Sequence, residues 1–253
     1  MRKIGNFQFP PASIKPLKMS AHANVPKPFL ISIEGDIGAG KSTLIESLKK
    51  SHPTWHFIDE PVGTWLALKN NSGENLLELF YKDQERYSYT FQNCAILSRA
   101  INIQRCIEAW QKECSMNPEA SLNNVFVTER CLETDYYVFA KMLYDDGKMD
   151  NLEWDLYKMW YNYVKTLSYP LNLIIHVRTP PKICADRILS RGRKGEEHIP
   201  LEYLTNLETY QNNWLYGSEI QTPVMSYINY EAPEKNHSPE DVYKKIQEYV
   251  VDA

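Results

Sequence analysis

The sequence predicts an α/β fold in which helices cover both faces of a five-stranded parallel sheet. Five apolar, strand-like runs alternate with segments of helical periodicity, and they occupy residues 29–34, 54–59, 124–128, 172–177 and 223–229. Parallel neighbours need a long crossover, usually a helix, so this alternation favours a parallel sheet. The segment from Glu74 to Cys114 is almost without glycine or proline and predicts a short helix followed by a long one. Residues 150–168 predict another long amphipathic helix.

The composition is typical of one intracellular domain. The chain has 253 residues, 43% of them hydrophobic, and no shift in composition divides it. A net charge of -4 provides no basic field, which argues against a nucleic-acid polymer as partner. The five cysteines form no C-x-x-C pair, which predicts reduced thiols and no zinc site. No run approaches the roughly 18 apolar residues of a membrane span, so none is expected.

The first 28 residues differ from the rest of the chain. They contain five prolines, five basic residues and no acidic residue, which predicts a disordered leader at 1–28 ahead of one domain at 29–253. A leader without acids also permits a mitochondrial targeting segment. Its single arginine and many prolines suit an amphipathic targeting helix poorly, so the cytoplasm is the expected location and the mitochondrion the alternative.

A phosphate-binding loop follows the first strand. The pattern G-x-x-x-x-G-K-[ST] runs from Gly35 to Ser42, between a predicted strand and a predicted helix. The glycines let backbone N–H groups surround a phosphate, Lys41 adds positive charge, and the Ser42 hydroxyl can bind Mg²⁺. The alternative is a glycine-rich turn without a ligand, but the flanking elements favour a nucleoside triphosphate. The expected ATP-binding residues here are Gly35, Asp36, Ile37, Gly38, Ala39, Gly40, Lys41, Ser42 and Thr43.

Charged residues follow the second and third predicted strands, where ligands of a parallel sheet bind. Glu60 follows the second strand and could accept a proton from an attacking hydroxyl, although an acid before Pro61 is also a common strand cap. Glu129 and Arg130 follow the third strand and could serve Mg²⁺ and phosphate. An adjacent acid and arginine on a surface would otherwise mean little.

Three arginines predict a phosphate clamp further along the chain. Arg187 and Arg191 share one helical face, and Gly192 allows a bend that brings Arg193 towards them. Converging guanidinium groups can stabilise a phosphoryl group during its transfer. The alternative is an exposed basic helix end.

An aromatic and polar cluster lies on the predicted helices between residues 77 and 99. Such a set can stack on a nucleobase and hydrogen-bond its edge. Periodicity alone favours an ordinary helix core with a polar rim over a binding site. The cluster consists of Leu77, Phe80, Tyr81, Phe91, Gln92, Ala95 and Arg99.

Together these motifs resemble the deoxyribonucleoside kinases, including the deoxycytidine, deoxyguanosine and deoxyadenosine kinases. The resemblance implies a P-loop kinase fold with an arginine-rich lid, a homodimer, and transfer of the γ-phosphate of ATP to the 5′-hydroxyl of a 2′-deoxynucleoside. It covers the chain from about residue 29 to the C-terminus. The residues that carry it are the phosphate loop, Glu60-Pro61-Val62, Trp65, Tyr81, Phe91-Gln92, Arg99, Glu129-Arg130, Asp135, Arg191-Gly192-Arg193 and Ile199 to Leu204.

The resemblance also implies a role for each site residue. Glu60 would be the general base, with Arg130 and Lys41 as the other catalytic residues, and Ser42 and Glu129 would hold Mg²⁺. Arg187, Arg191 and Arg193 would cover ATP. Glu196 would hold the sugar 3′-hydroxyl together with Tyr81, and Glu197 is the alternative because Gly195 stands where the family has an acid. The implied nucleoside contacts are Glu60, Trp65, Leu77, Phe80, Tyr81, Phe91, Gln92, Arg99, Arg130, Asp135, Phe139 and Glu196.

Arg99 and Asp135 bear on the choice of base. The resemblance associates this charged pair with deoxycytidine and purine deoxynucleoside kinases, and small or apolar residues with thymidine kinases. An arginine held by an aspartate offers a donor to a ring nitrogen, and the aspartate accepts from an exocyclic amine. We therefore expect deoxyadenosine, deoxycytidine or deoxyguanosine to be preferred over thymidine.

Two other functions share the phosphate loop. A nucleoside monophosphate kinase has a dianionic acceptor, which a carboxylate at Glu60 would repel. A non-catalytic subunit built on the same fold would have no need of the loop lysine, Glu60 or the lid arginines, all of which this chain retains.

Overall fold

The computed structural model describes residues 27–193, 196, 199–218, 220–228 and 238–251. The predicted leader therefore lies outside the described residues, apart from Lys27 and Pro28. The strands are β1 (Phe29–Glu34), β2 (His56–Ile58), β3 (Val125–Glu129), β4 (Leu173–Arg178) and β5 (Val224–Ile228). The helices are α1 (Lys41–Ser51), α2 (Val62–Ala67), α3 (Leu76–Lys82), α4 (Gln84–Met116), α5 (Leu132–Thr134), α6 (Lys141–Asp145), α7 (Asn151–Thr166), α8 (Pro181–Arg191), α9 (Leu201–Leu215) and α10 (Pro239–Val251).

The five strands form one parallel sheet in the order β2-β3-β1-β4-β5. In the centre, Ile33 lies opposite Glu129 of β3 and Ile175 of β4, so the carboxyl ends of these strands share one edge. The predicted parallel sheet is confirmed. The bounds of β1 are as predicted, and those of the other strands differ by one or two residues, most in β2, which pairs with β3 only from His56 onward.

Helices pack on both faces of the sheet because its central strands are buried on both sides. Ile31 and Ile33 of β1 contribute to a core with α1, α8 and α9. Leu30, which points the other way, joins Ile107 and Trp110 of α4 on the opposite face. Because both faces of β1 are covered, all six of its residues are buried, and apolar residues lie on both of its sides.

A third cluster lies beyond the sheet edge, where α3, α4 and α7 pack together. The helices α3 and α7 both begin with capping boxes, formed by Asn75 with Glu78 and by Asp150 with Glu153. Between α5 and α6 the residues Asp135–Ala140 form a π-helical turn, which the sequence did not predict. Within the described parts of the chain, no helix is long and apolar enough to cross a bilayer.

Candidate active site

A cavity of about 690 Å³ opens at the carboxyl edge of the sheet. Its volume lies in the range of small-molecule sites, and the edge is where a parallel sheet places its ligands. One end is formed by the phosphate loop and the other by the aromatic residues of α2, α3 and α4. The predicted site residues that line it are Ile37, Gly38, Gly40, Lys41, Ser42, Thr43, Glu60, Trp65, Leu77, Phe80, Tyr81, Phe91, Gln92, Arg99, Glu129, Arg130, Asp135, Phe139, Arg187, Arg191, Arg193 and Glu196.

The phosphate loop has the backbone that its glycines predict. Gly35, Gly38 and Gly40 have φ values of 145°, 81° and 100°, a region that other residues adopt at a cost. A Cβ atom at Gly35 would lie 2.6 Å from the Val177 carbonyl oxygen, and one at Gly38 would lie 2.6 Å from the Cys184 carbonyl oxygen. The loop therefore packs directly against β4 and α8, and neither glycine can be replaced without moving backbone.

Lys41 and Ser42 meet Glu129 at the start of α1. The Lys41 ammonium donates to the Asp36 carbonyl oxygen at 2.8 Å and lies 3.7 Å from the Glu129 carboxylate. Burial lowers the pKa of Lys41, and the nearby Arg130 adds to this effect. A phosphate would favour its charged form, because an anion in a buried site opposes both causes.

Ser42 and Glu129, the residues predicted to hold Mg²⁺, bring their side-chain oxygen atoms together. The Ser42 hydroxyl donates to Glu129 Oε2 at 3.0 Å, so both groups are within reach of one small cation. Across the described ranges, no cluster of three or more His, Cys, Asp or Glu side chains could hold a metal by itself. A hydroxyl with one carboxylate suits Mg²⁺, which takes its other ligands from water and phosphate oxygens.

Glu60 is enclosed by positive charge between the two ends of the cavity. Its Oε1 atom lies 3.3 Å from Arg99 Nη2 and 3.4 Å from Arg130 Nε. Burial opposes ionisation, but Arg130, Arg99 and Lys41 outweigh it and lower the pKa of Glu60. Glu60 is therefore a carboxylate at neutral pH and can accept a proton or a hydrogen bond from a hydroxyl group.

Arg130 reaches Glu60 through an unusual backbone conformation. Its φ is 66°, and it is the one non-glycine residue with positive φ in the regions that the structure describes. Its N–H donates to the Ile33 carbonyl oxygen at 3.1 Å, and its guanidinium lies 4.8 Å from the centre of the Phe139 ring. Strained residues of this kind cluster at functional sites, and here the turn directs the guanidinium into the cavity.

Arg99 and Asp135 form a buried pair. Arg99 Nε donates to Asp135 Oδ2 at 2.9 Å, and Arg99 Nη2 lies 3.3 Å from Asp135 Oδ1, so the contact is bidentate. The residues are 2% and 1% exposed. Burial disfavours the charge of Arg99, but Asp135 and Glu60 outweigh it and raise the pKa of the guanidinium further. Arg99 Nη1 also donates to the Glu129 carbonyl oxygen at 2.6 Å, so one side chain joins β3, α4 and the π-helical turn.

Aromatic rings form the far end of the cavity. Phe80 and Phe91 stack with ring centroids 4.5 Å apart, and Trp65 meets the edge of Phe91 at 5.2 Å. Gln92 is buried beside them, and its side-chain oxygen finds no hydrogen-bond partner in the part of the chain that the structure describes. A buried acceptor without a partner is costly, so this end of the cavity is suited to a flat ligand that carries a donor.

The predicted arginine clamp divides into two groups. Arg187 donates to the Ala39 carbonyl oxygen at 3.1 Å and so lies against the phosphate loop. Arg191 and Arg193 both pair with the carboxylate of Glu196, Arg193 at 3.1 Å. Gly192 ends α8 with φ 60°, as its predicted bend requires. The alternative acid, Glu197, lies outside the described residues.

Three predicted ATP-binding residues do not line the cavity. Ala39 is fully buried in the core, and Gly35 and Asp36 contact a buried residue of α9, Gln211. The ATP-binding role of these three residues stays a prediction, and it concerns their backbone N–H groups rather than their side chains.

Sequence reasoning also missed several residues. Val62 and Tyr203 line the cavity, but the sequence analysis named them only within longer motifs and not as site residues. Gln211 was not identified at all. The sequence does contain a signal for it, a polar residue on the apolar face of a predicted helix. Gln211 shares the buried face of α9 with Leu204 and Leu207, where an apolar residue is expected.

The fold and the cavity define a P-loop phosphotransferase, with a phosphate-binding loop, a buried carboxylate and basic residues at the carboxyl edge of a parallel sheet. Sequence comparison makes this assignment more specific. The family described as "Deoxynucleoside kinase" matches residues 31–251, and the chain belongs to this family. It is a deoxynucleoside kinase, an enzyme that phosphorylates a nucleoside with ATP as the phosphate donor.

Several relatives are similar over most of their length. Deoxycytidine kinase 2 of Gallus gallus is 38% identical over 206 residues, 76% of this chain and 75% of the relative. Deoxycytidine kinase of Homo sapiens is 33% identical over 239 residues, 87% of this chain and 88% of the relative. The mitochondrial deoxyguanosine kinase of Xenopus laevis is 33% identical over 199 residues, 73% of this chain and 72% of the relative.

Proposed function

We propose that this kinase transfers the γ-phosphate of ATP to the 5′-hydroxyl of a 2′-deoxynucleoside, with Glu60 as the general base. The observation that carries the proposal is the position of the Glu60 carboxylate, between the phosphate loop and the aromatic end of one cavity. ATP would place its phosphates on the loop near Lys41, and the nucleoside would place its base against Phe80 and Phe91. The 5′-hydroxyl then lies where Glu60 can accept its proton.

The charges around the cavity suit phosphoryl transfer. Lys41 and Arg130 lie beside the path of the phosphoryl group, and Arg187, Arg191 and Arg193 form its lid side. Ser42 and Glu129 would hold Mg²⁺, which when bound neutralises charge on the phosphates. Glu196 would exchange its contacts with the lid arginines for the sugar 3′-hydroxyl, near Tyr81.

A base with an exocyclic amine is the proposed preference. The bidentate contact of Arg99 with Asp135 supports it, as does the Gln92 oxygen, which needs a donor. The names of the relatives include deoxycytidine and deoxyguanosine kinases, and both bases carry an amine. Thymine lacks the amine and adds a methyl group that needs space.

A homodimer through α4 and α7 is also proposed. Along α7 a single helical face exposes large apolar side chains, with Leu152 68% and Met159 67% exposed. Leu97 and Ile101 expose a matching pair on the adjacent α4. An exposed apolar stripe of this length marks an interaction surface. The other residues of this α4–α7 face are Leu156, Trp160 and Tyr163.

The cytoplasm remains the proposed location. The leader composition supports it, because five prolines and a single arginine within residues 1–28 suit a targeting helix poorly. The mitochondrion is the alternative, and microscopy of the full chain with a C-terminal fluorescent tag separates the two.

The test of this function is a turnover assay. Initial rates are measured with deoxyadenosine, deoxycytidine, deoxyguanosine and thymidine at fixed Mg·ATP, and in parallel with the four corresponding monophosphates. We expect turnover with nucleosides, slowest with thymidine, and none with monophosphates. Turnover confined to monophosphates would contradict the role of Glu60, and fastest turnover with thymidine would contradict the proposed base preference.

A further inference from the structure

Gln211 is a polar residue at a position of α9 that the core would normally fill with an apolar one. Leu204, Leu207 and Leu215 of the same helix are buried against the sheet, and Gln211 is only 2% exposed. A buried amide without partners would cost stability, so the contacts of Gln211 indicate why an amide stands there.

Those contacts are with the first two residues of the phosphate loop. In the orientation that satisfies both groups, the Gln211 amide oxygen accepts from the Gly35 N–H at 2.9 Å. Its nitrogen donates to Asp36 Oδ1 at 3.2 Å. Asp36 is itself 6% exposed, so its carboxyl group has little access to water as an alternative partner.

Asp36 is an unusual residue to find in a loop that binds anions. The helix α1 begins at Lys41, and no side chain within the described residues caps it. The first N–H groups of a helix have no partner inside the helix, and a nearby carboxylate can act as their acceptor. Asp36 lies five residues before Lys41, in the loop that leads into these groups. A phosphate loop offers these same N–H groups to its ligand. A free Asp36 carboxylate would compete with ATP for them and would repel its phosphates.

We propose that Gln211 is a positioning residue for ATP binding, which holds the Asp36 carboxyl group on the α9 side of the phosphate loop and away from the anion site. This inference rests on the proposed assignment of residues 35–43 to ATP. Gln211 thereby keeps the N–H groups at the start of α1 free for a phosphate, and it does not contact the reacting atoms.

The test uses Gln211→Met, which has a similar length and no amide, together with Asp36→Ala and the double variant of the full chain. We expect Gln211→Met to raise the KM for ATP on the order of tenfold, the effect of losing a hydrogen bond to a charged group. The KM for the nucleoside and kcat at saturating ATP should change little. In the double variant the KM for ATP should return to that of Asp36→Ala, because the competing carboxylate is gone.

The rescue separates positioning from a purely structural role. A structural role would leave the double variant as impaired as Gln211→Met, and that result would overturn the proposal, as would an unchanged KM for ATP in Gln211→Met. Unfolding midpoints without ligand check that each variant folds. If Gln211→Met does not fold, Gln211→Asn is measured instead, because it keeps an amide that is one methylene too short to bridge both partners.

Failure of the underlying assignment gives a different result. Lys41→Ala should abolish the rise in melting temperature that ATP causes in the wild type. If that rise is undiminished, residues 35–43 do not bind ATP, whatever the Gln211 variants show.

Discussion

At the scale of single residues, the environment of Glu60 determines how it can act. Two guanidinium groups at 3.3 and 3.4 Å keep it ionised, which makes it a ready but weak base. The same groups fix its orientation towards the cavity. We infer that positioning of the carboxylate matters as much as its basicity.

Glu60→Gln should keep the fold and nucleoside binding but lower kcat by roughly 10² to 10⁴, because the amide cannot accept the proton. Steady-state kinetics with saturating ATP measure this loss. Glu85→Gln is the matched control, since Glu85 is an exposed carboxylate that pairs with Lys148 outside the cavity. A value of kcat near that of the wild type would remove Glu60 from the mechanism.

The Arg99–Asp135 pair predicts a change in specificity. Removing both side chains should shift preference towards thymidine, because the pocket loses a donor and an acceptor and gains space for a methyl group. Asp135→Ala alone should be worse than the double variant, since an unpaired buried arginine costs about 3 to 5 kcal/mol. Values of kcat/KM for the four deoxynucleosides test this in Arg99→Met, Asp135→Ala and the double variant.

The structure adds a complication to that experiment. Arg99 also donates to Glu60, so Arg99→Met should lower kcat for every nucleoside as well as change their order. Only the ranking of bases therefore tests specificity. If the double variant keeps the wild-type ranking, the pair does not set base preference.

The raised pKa of Asp36 predicts that the stability of the folded protein depends on pH. Burial, with a small contribution from Glu208, raises the pKa of Asp36 from 3.8 to about 7, and Arg130 and Lys41 oppose it. The folded state then binds this proton more tightly than the unfolded state. Stability from this group is present at low pH and is lost as pH rises from about 4 to 7.

Asp36→Asn removes that penalty and keeps the shape of the side chain. Its free energy of unfolding relative to the wild type should grow between pH 5 and pH 8, by about 2 to 3 kcal/mol. Urea unfolding of both proteins at several pH values gives the difference. A difference that is constant across this range would mean that Asp36 ionises freely in the folded protein.

At the scale of elements, the sequence predicted most of what local patterns encode. The apolar runs of β1 and β4 and the uninterrupted segment of α4 each appear where expected, because their signals lie within the element itself. The phosphate loop was also predictable, since its glycines are required by local backbone geometry at φ values that other residues avoid.

Contacts between distant elements were predictable only in part. The approach of Glu60 to Arg99 spans 39 residues, and the contact of Gln211 with Gly35 joins α9 to the loop after β1. Neither contact produces a periodic pattern of residues from which it could be predicted. The π-helical turn at Asp135–Ala140 and the positive φ of Arg130 likewise depend on the packing around them, so no pattern of residues predicts them.

At the scale of the whole molecule, the α4–α7 face predicts self-association. Met159→Lys should raise the dissociation constant of the dimer at least about tenfold, because it places a charge within an apolar interface. Sedimentation equilibrium measures the change. Leu189→Lys is the control, since Leu189 is similarly exposed but lies on α8, away from this face. A wild-type protein that is monomeric at micromolar concentration would refute the assignment.

The helix α4 contains a stretch in which few positions should tolerate substitution. Its 33 residues span about 50 Å, and between residues 91 and 101 it serves the cavity, the core and the apolar surface at once. Ala95 and Arg99 face the cavity, Ile96 the core, and Leu97 and Ile101 the outside. Most helices tolerate substitution along one face. In a saturation library of residues 91–101 that is selected for activity, we expect substitutions to be depleted on every side of the helix. Tolerance to substitution should return only in the turns of α4 that follow this stretch.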